Sequence, residues 1–256
     1  EAVNSIVHSV EKAFDKGKVA ILVRLDVDQA FPSAWHPAIL HTLITNNCPK
    51  DLILMLQSFL TDRVSELWFA GHTKPIKLSA STAQGARLSP NLWKAVNLHI
   101  TKFITKWMAD RSITGITVTF ADDNSILLIG ENERELCFVA SDLVTDLIHS
   151  MKTFKITFGF SKEKMEFMTF SRRRKAKWLE NISITNYEYE DVDFPLVNTT
   201  SLLGVTLDSK LTWDAYMKQI AGVAIRSLFE LKKYAKATWG LSSHIIRLLY
   251  ERAIRP

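Results

Sequence analysis

The run VAILVRL at residues 19–25 is apolar except for Arg24 and is closed by Lys18 on one side and Asp26 on the other. It is short and continuously apolar rather than alternating, which suits a buried strand more than a helix. Asp26 therefore stands at a strand's carboxyl end. A second stretch, TVTFADDNSILLIG at 117–130, sets Asp122 and Asp123 side by side between two strand-forming runs, with no glycine at the turn. Adjacent carboxylates repel each other and lose hydration when neighbours crowd them. A solvated turn is one reading of the pair, and a cation site is the other. If both strands are neighbours in one sheet, the three carboxylates can converge on one edge, and hard oxygens of this kind are what Mg²⁺ requires.

The surrounding pattern is mixed. Val3, Ile6, Val7, Val10 and Phe14 recur at helical spacing and predict a helix over 2–14. Residues 37–46 and 50–60 read as two helices, and 64–69 with 74–78 as a hairpin around Gly71. Ser89-Pro90 reads as an N-cap and a first-turn proline, opening a helix that runs to about Met108. Residues 116–120 and 126–129 frame Asp122-Asp123 as the turn of a second hairpin. A helix over 132–152, a strand over 166–170, a strand over 202–207 and helices over 214–236 and 242–253 complete the order. Strands and helices interleave without regular βαβ repetition, so the expected class is α+β with a mostly antiparallel sheet packed on helices.

Composition narrows the function classes. A chain of 256 residues, 47% hydrophobic and 23% charged, has the balance of a folded protein with one sizeable core, or one core plus a small appended domain. Cys48 and Cys137 lie far apart with no CxxC spacing, so neither a zinc site nor a disulfide framework is indicated, and an intracellular setting is expected. The apolar runs are too short to span a bilayer, and no membrane partner is expected. A net charge of +5 permits an acidic partner, nucleic acid above all. Positive charge concentrates at Arg172, Arg173, Arg174, Lys175 and Lys177, just before Trp178, as a solvated basic loop or a phosphate contact. The ending at Arg255-Pro256 reads as a continuing segment, and the expectation is an excised fragment.

LDVDQAF at 25–31, AQGARLSP at 83–90, FADD at 120–123, FGFSKEKMEF at 158–167 and LLGVTLDSKLTW at 202–213 follow one another in this order. The series resembles the reverse transcriptases of non-LTR (LINE-type) retrotransposons. WHPAIL at 35–40 and KATWGLSSHIIRLLYERAIRP at 236–256 extend the resemblance over nearly the whole chain. It implies a polymerase palm with a small remnant of fingers over 1–212 and the beginning of a helical thumb over 213–256. It also implies an RNA-directed DNA polymerase that moves a nucleotide from dNTP to a primer 3′ end with two Mg²⁺ ions, or Mn²⁺ in their place. An RNA template and a DNA primer would be its partners, in a ribonucleoprotein of nucleus and cytoplasm.

Carried over by position, Asp26, Asp122 and Asp123 would be the catalytic metal ligands, with the backbone carbonyl of Val27. Ala30, Phe31, Gln84, Gly85 and Lys164 would bind the nucleotide, and Leu203, Gly204 and Val205 would form a hairpin that grips the primer. Phe31, otherwise a core aromatic, would crowd a 2′-hydroxyl and favour dNTP. Lys164, otherwise a surface lysine in Lys162-Glu163-Lys164, would meet the leaving pyrophosphate. Lys232, Lys233, Lys236 and Arg247 would track the duplex backbone. Ser81 and Ala83 stand where the family commonly has glycine and proline, and Pro32 where an acidic residue often stands. These departures motivate a second reading, a degenerate or domesticated copy that only binds nucleic acid. A third is another palm-type nucleotidyl enzyme such as a cyclase. With upstream fingers absent, the chain alone is expected to polymerise poorly.

Overall fold

The computed structural model describes residues 1–83, 85–161, 163–172, 181–184, 192–234 and 240–253. Gln84, Lys162, Arg173, Arg174, Lys175, Lys177, Trp178, Lys236 and Arg255-Pro256 lie outside the described residues. The chain forms two compact units, 1–198 and 199–256.

In the first unit, helix α1 (Ala2–Asp15) leads into strand β1 (Val19–Asp26), which is followed by the one-turn α2 (Ala30–Ser33), α3 (His36–Thr45) and α4 (Lys50–Leu60). The hairpin β2 (Val64–Phe69) and β3 (His72–Lys77) comes next and is exposed along both strands. Helix α5 (Ser89–Asp110), strands β4 (Thr114–Phe120) and β5 (Asp123–Gly130), helix α6 (Glu133–Met151) and strand β6 (Met165–Phe170) complete the main layer. A short pair, β7 (Asn181–Ile184) and β8 (Val192–Pro195), was not foreseen from the sequence. Four residues each is too short a period-2 signal to separate from loop.

The central sheet has the order β4-β5-β1-β6, and every pairing in it is antiparallel. Antiparallel partners share a face, so the register sorts β1 into two sets. Val19, Ile21, Val23 and Leu25 join Ile126, Leu128, Met165 and Phe167 in the main core, with Val96, Ile100 and Ile104 of α5 and Ala140, Leu143 and Leu147 of α6. On the opposite face lie Ala20 and Leu22, beside Leu127, Met168 and Phe170, all buried. Helix α1 packs against β1, β4 and β5 through its buried stripe Ile6, Val7, Val10, Ala13 and Phe14. Each such aliphatic side chain contributes about 1.5–3 kcal/mol on full burial. Farther along that same face come Arg24 and Asp26, which are only half-buried.

Three local expectations are corrected. Ser89 is not an N-cap: it is the first residue of α5, Leu88 caps the helix, and the Ser89 hydroxyl donates to the Ala83 carbonyl at 2.6 Å. Asp123 is not in the turn, because it pairs with Phe120 and with Asp26 inside β5, leaving Ala121 and Asp122 as the turn residues. The stretch 202–207 is not one strand but a fold-back, β9 (Thr199–Leu202) pairing with β10 (Val205–Asp208).

The second unit begins with that hairpin, 14 residues ahead of the boundary expected at 212 (212 − 198 = 14), since β10 packs against α7 (Asp214–Tyr234) within it. Helix α8 (Ser243–Ala253) packs on α7. Asp208 ties the hairpin to the helix start: it accepts from the backbone N–H groups of Lys210 (3.1 Å), Thr212 (3.0 Å) and Trp213 (2.8 Å). Burial pushes the Asp208 carboxyl up, but these N–H donors outweigh it and hold the group below the ordinary value. Among the described residues no helix is long and apolar enough to cross a membrane.

Two predictions come from this geometry. Ser81 holds φ +102°, a backbone conformation that suits glycine, with its N–H on the Ala34 carbonyl and its own carbonyl accepting from His36 Nε2. Ser81→Gly should raise stability by about 1 kcal/mol in urea unfolding, and Ser81→Val should lower it. A carboxyl depressed in the folded state stabilises above its unfolded pKa, and that contribution is lost as pH falls through the folded value. Asp208→Asn should therefore lower the Tm at pH 7, and the difference from wild type should vanish as pH falls below about 3.8.

Candidate active site

Two backbone features assemble the acidic cluster. The β1–β5 register sets Asp26 directly opposite Asp123, on one face. The turn then places Asp122 next to both, with its carbonyl accepting from the Val27 N–H at 3.5 Å and the Asn124 amide at 3.0 Å. Asp26 retains 28% side-chain exposure, so a solute can reach it. Burial first, then the charge of Asp122 and less that of Asp123, push the Asp26 carboxyl up, while Lys164 pulls it back. The crowding inferred from the sequence is thus present, and it bears on Asp26.

Positive charge is delivered from two sides. Backbone bonds lay the segment before β6 along the end of β1: Asp26 N–H to the Lys164 carbonyl at 2.8 Å, Gly159 N–H to the Asp26 carbonyl at 3.1 Å, and Asp28 N–H to the Thr157 carbonyl at 2.8 Å. The Lys164 ammonium stands 2.5 Å from Asp28 and 3.6 Å from Asp26. Its hydrogen bond to Asp28 leads the influences that hold it above the ordinary lysine value; burial opposes them. Arg24 lies on the same face, 2.8 Å from Glu166 and 3.8 Å from Asp123.

Gly159 went unnoticed in the sequence, although FGFSKEK displays it. A Cβ there would stand 2.1 Å from Lys164 Cδ and 2.8 Å from its Cβ, so the missing side chain is what admits the lysine stem. Asp28 and Arg24 were also missed, because only the fold brings them to Lys164 and Asp123.

Ala30 and Phe31 lie in α2, beside the acidic end of β1. Thr82 fixes the following loop there, its backbone N–H donating to the Phe31 carbonyl at 2.8 Å. Phe31 packs on the core and also lines an open cleft of about 520 Å³ with Gly85, Ala86, Arg87, Ser89 and Pro90. Phe31 is thus a core aromatic with one side open to a cleft. Gly85 has φ +81° and nothing within 4 Å of a Cβ position, so it lines the cleft with bare backbone. Leu203, Gly204 and Val205 belong to the second unit. Leu203 (φ +48°) and Gly204 (φ +83°) form the two-residue turn between β9 and β10, and the Leu203 side chain is 37% exposed.

A divalent cation at this cluster would need hard oxygen donors. Among the described residues no three His, Cys, Asp or Glu side chains close into a ready-made cage. Mg²⁺ does not require one, since it usually takes one or two protein carboxylates and completes its shell with water and substrate phosphates. The like charges crowding Asp26 are what a bound cation would relieve. The residues fit a hard divalent ion.

Residues 2–207 match the family model for reverse transcriptase (RNA-dependent DNA polymerase). The chain is 23% identical over 231 residues to the RNA-directed DNA polymerase from mobile element jockey of Drosophila melanogaster, covering 86% of this chain and 23% of that protein. It is 25% identical over 248 residues to the probable RNA-directed DNA polymerase from transposon X-element of the same organism, covering 95% of this chain and 25% of that protein. The chain thus spans about a quarter of the length of these curated relatives. Among solved structures, telomerase from Candida tropicalis in complex with a TWJ fragment of telomeric RNA aligns with a TM-score of 0.57 at 11% identity, over 100% of this chain and 42% of that one. The truncated apo telomerase from Candida tropicalis aligns at 0.52 and 13%, over 82% and 39%. These two share the fold, a palm-like antiparallel sheet on helices. With the family match running from the first helix to the last strand, the chain belongs to the reverse transcriptase (RNA-dependent DNA polymerase) family.

Proposed function

We propose that the first unit is the palm, and the second the start of the thumb, of an RNA-directed DNA polymerase that extends a DNA primer on an RNA template. The observation that carries the reading is the in-register pair Asp26–Asp123 with Asp122 on the adjoining turn. Reverse transcriptases use divalent metal ions. Here Asp26, Asp122, Asp123 and the Val27 carbonyl would hold them. Two such ions, when bound, stabilise the attacking and leaving oxygens of an in-line phosphoryl displacement.

The chain's own groups do the remaining work. Lys164, held between Asp28 and Asp26, offers an ammonium for the triphosphate end of an incoming dNTP. The cleft between Phe31 and the Gly85 loop admits the base and sugar, and the Phe31 ring limits room at the 2′ position. Gln84 is assigned to the same loop by position. Leu203, Gly204 and Val205 would meet the primer, for an exposed leucine held at positive φ is an uncommon choice unless its side chain is wanted at the tip. Lys232, Lys233 and Arg247 supply positive charge for a nucleic-acid backbone.

In the protein with its natural flanking sequence, Asp122→Asn should reduce primer extension by at least about a hundredfold without weakening template–primer binding. Salt-sensitive duplex binding with no extension, indifferent to Mg²⁺ and to Asp26→Asn, would instead mark a nucleic-acid-binding copy. A second expectation concerns stability. A carboxyl raised in the folded state works against folding as pH rises through its folded pKa, so Asp26→Asn should raise the metal-free Tm at pH 7. The gain should vanish well below pH 3.8, where both states are protonated. Mg²⁺ should raise the Tm of wild type and not of Asp26→Asn.

A further inference from the structure

The turn that presents Asp122 is gripped from beneath by α5. The Ala121 carbonyl accepts from Trp93 Nε1 at 2.7 Å and from Asn97 Nδ2 at 3.1 Å. The two donors stand one helical turn apart on one face of α5, and they are 1% and 6% exposed. They use both lone pairs of a single carbonyl. Ala121 is held at φ +54°, a conformation an alanine rarely adopts unaided.

Asn97 has no other evident reason to be polar. Its Oδ1 is buried and has no hydrogen-bond partner among the described residues. A leucine, with the same number of side-chain heavy atoms, would leave no acceptor stranded, so core packing alone does not account for the amide. The same is true of Asn124, whose amide donates to the Asp122 carbonyl while its own Oδ1 lacks a partner among the described residues. Both carbonyls of the turn are therefore bonded, and the backbone from which the Asp122 side chain departs cannot roll. Trp93 also touches Phe31, ring centroids 6.2 Å apart, so one indole meets both the acidic turn and the cleft wall.

We infer that Trp93 and Asn97 are positioning residues that set the Asp122 carboxylate by fixing the Ala121 carbonyl. The inference rests on the polymerase reading of the acidic site. It assigns to α5, beyond its share of the core, the aiming of a carboxylate on the opposite side of the sheet's end.

The deciding variant is Asn97→Leu, which keeps the number of side-chain heavy atoms and removes the stranded acceptor, with Asn97→Ala beside it as the variant that adds no bulk. Trp93→Phe accompanies it, with Asp122→Asn as control, all in the protein with its natural flanking sequence. Single-nucleotide incorporation by Asn97→Leu should show kcat lowered about tenfold, with the KM for dNTP and the Kd for template–primer within about twofold of wild type. Its Tm should not fall, and the Mg²⁺ concentration at half-maximal thermal stabilisation should rise several-fold. Trp93→Phe should change the same quantities, and the double variant should lose more than either alone. Wild-type kcat and Mg²⁺ midpoint in Asn97→Leu would overturn the inference while leaving the polymerase reading intact. Undiminished extension by Asp122→Asn would overturn the polymerase reading and the inference with it. If wild type does not extend primers, the Mg²⁺ midpoint still decides: a shift in Asn97→Leu upholds the positioning role, and its absence removes it.

Discussion

The in-register pairing of β1 with β5 is the constraint on which the rest depends. Eight residues of β1 face eight of β5, and strict alternation assigns each side chain to a face. Sliding one strand by a single residue would turn Asp26 toward the α5–α6 core and Leu25 toward solvent. The apolar residues therefore fix the chemistry indirectly. Val19, Ile21, Val23 and Leu25 are held by one helical layer, Ala20 and Leu22 face α1, and Asp26 is left at the open end of the α1 face. Burial supplies the free energy that keeps like-charged carboxylates near one another.

Around this fixed point the loops are placed by backbone hydrogen bonds. Three of them lay Thr157, Gly159 and Lys164 along the end of β1, which brings the Lys164 ammonium to Asp28 and Asp26. Thr82 ties the Gly85 loop to Phe31, and Ser81, although a serine, holds a conformation that suits glycine. Where the family commonly has glycine, Ser81 thus bears the strain of a backbone that suits glycine. Backbone ties of this kind tolerate side-chain change, so weak sequence identity coexists with a shared fold.

Much of this was legible in the sequence. The continuous apolar run located β1, and the two strand-forming runs located the β4–β5 hairpin, because both signals are long and unambiguous. Asp26 and the acidic pair followed from their places at strand ends. What escaped notice depends on contacts between distant segments. The partnership of Arg24 with Asp123 and Glu166, the room Gly159 makes for Lys164, and the grip of Trp93 and Asn97 on Ala121 leave no periodic trace. The Ser89 cap failed for a local reason: a preceding carbonyl, that of Ala83, competes for the hydroxyl. Periodicity hid the turn at Leu203-Gly204 in the apolar run around it, since a leucine at positive φ is not what a turn ordinarily shows, and the hairpin there came from the family resemblance alone.

The charge crowding around Asp26 bears on how such chains change over generations. Most random substitutions are removed because they unfold a protein, so folding quality normally guards function as a by-product. At Asp26 the guard works in reverse, since burial and the neighbouring carboxylates disfavour its ionised form. On the polymerase reading, a lineage that lost the Asp26 carboxylate would keep a chain that folds, and selection on copying would be what maintains it.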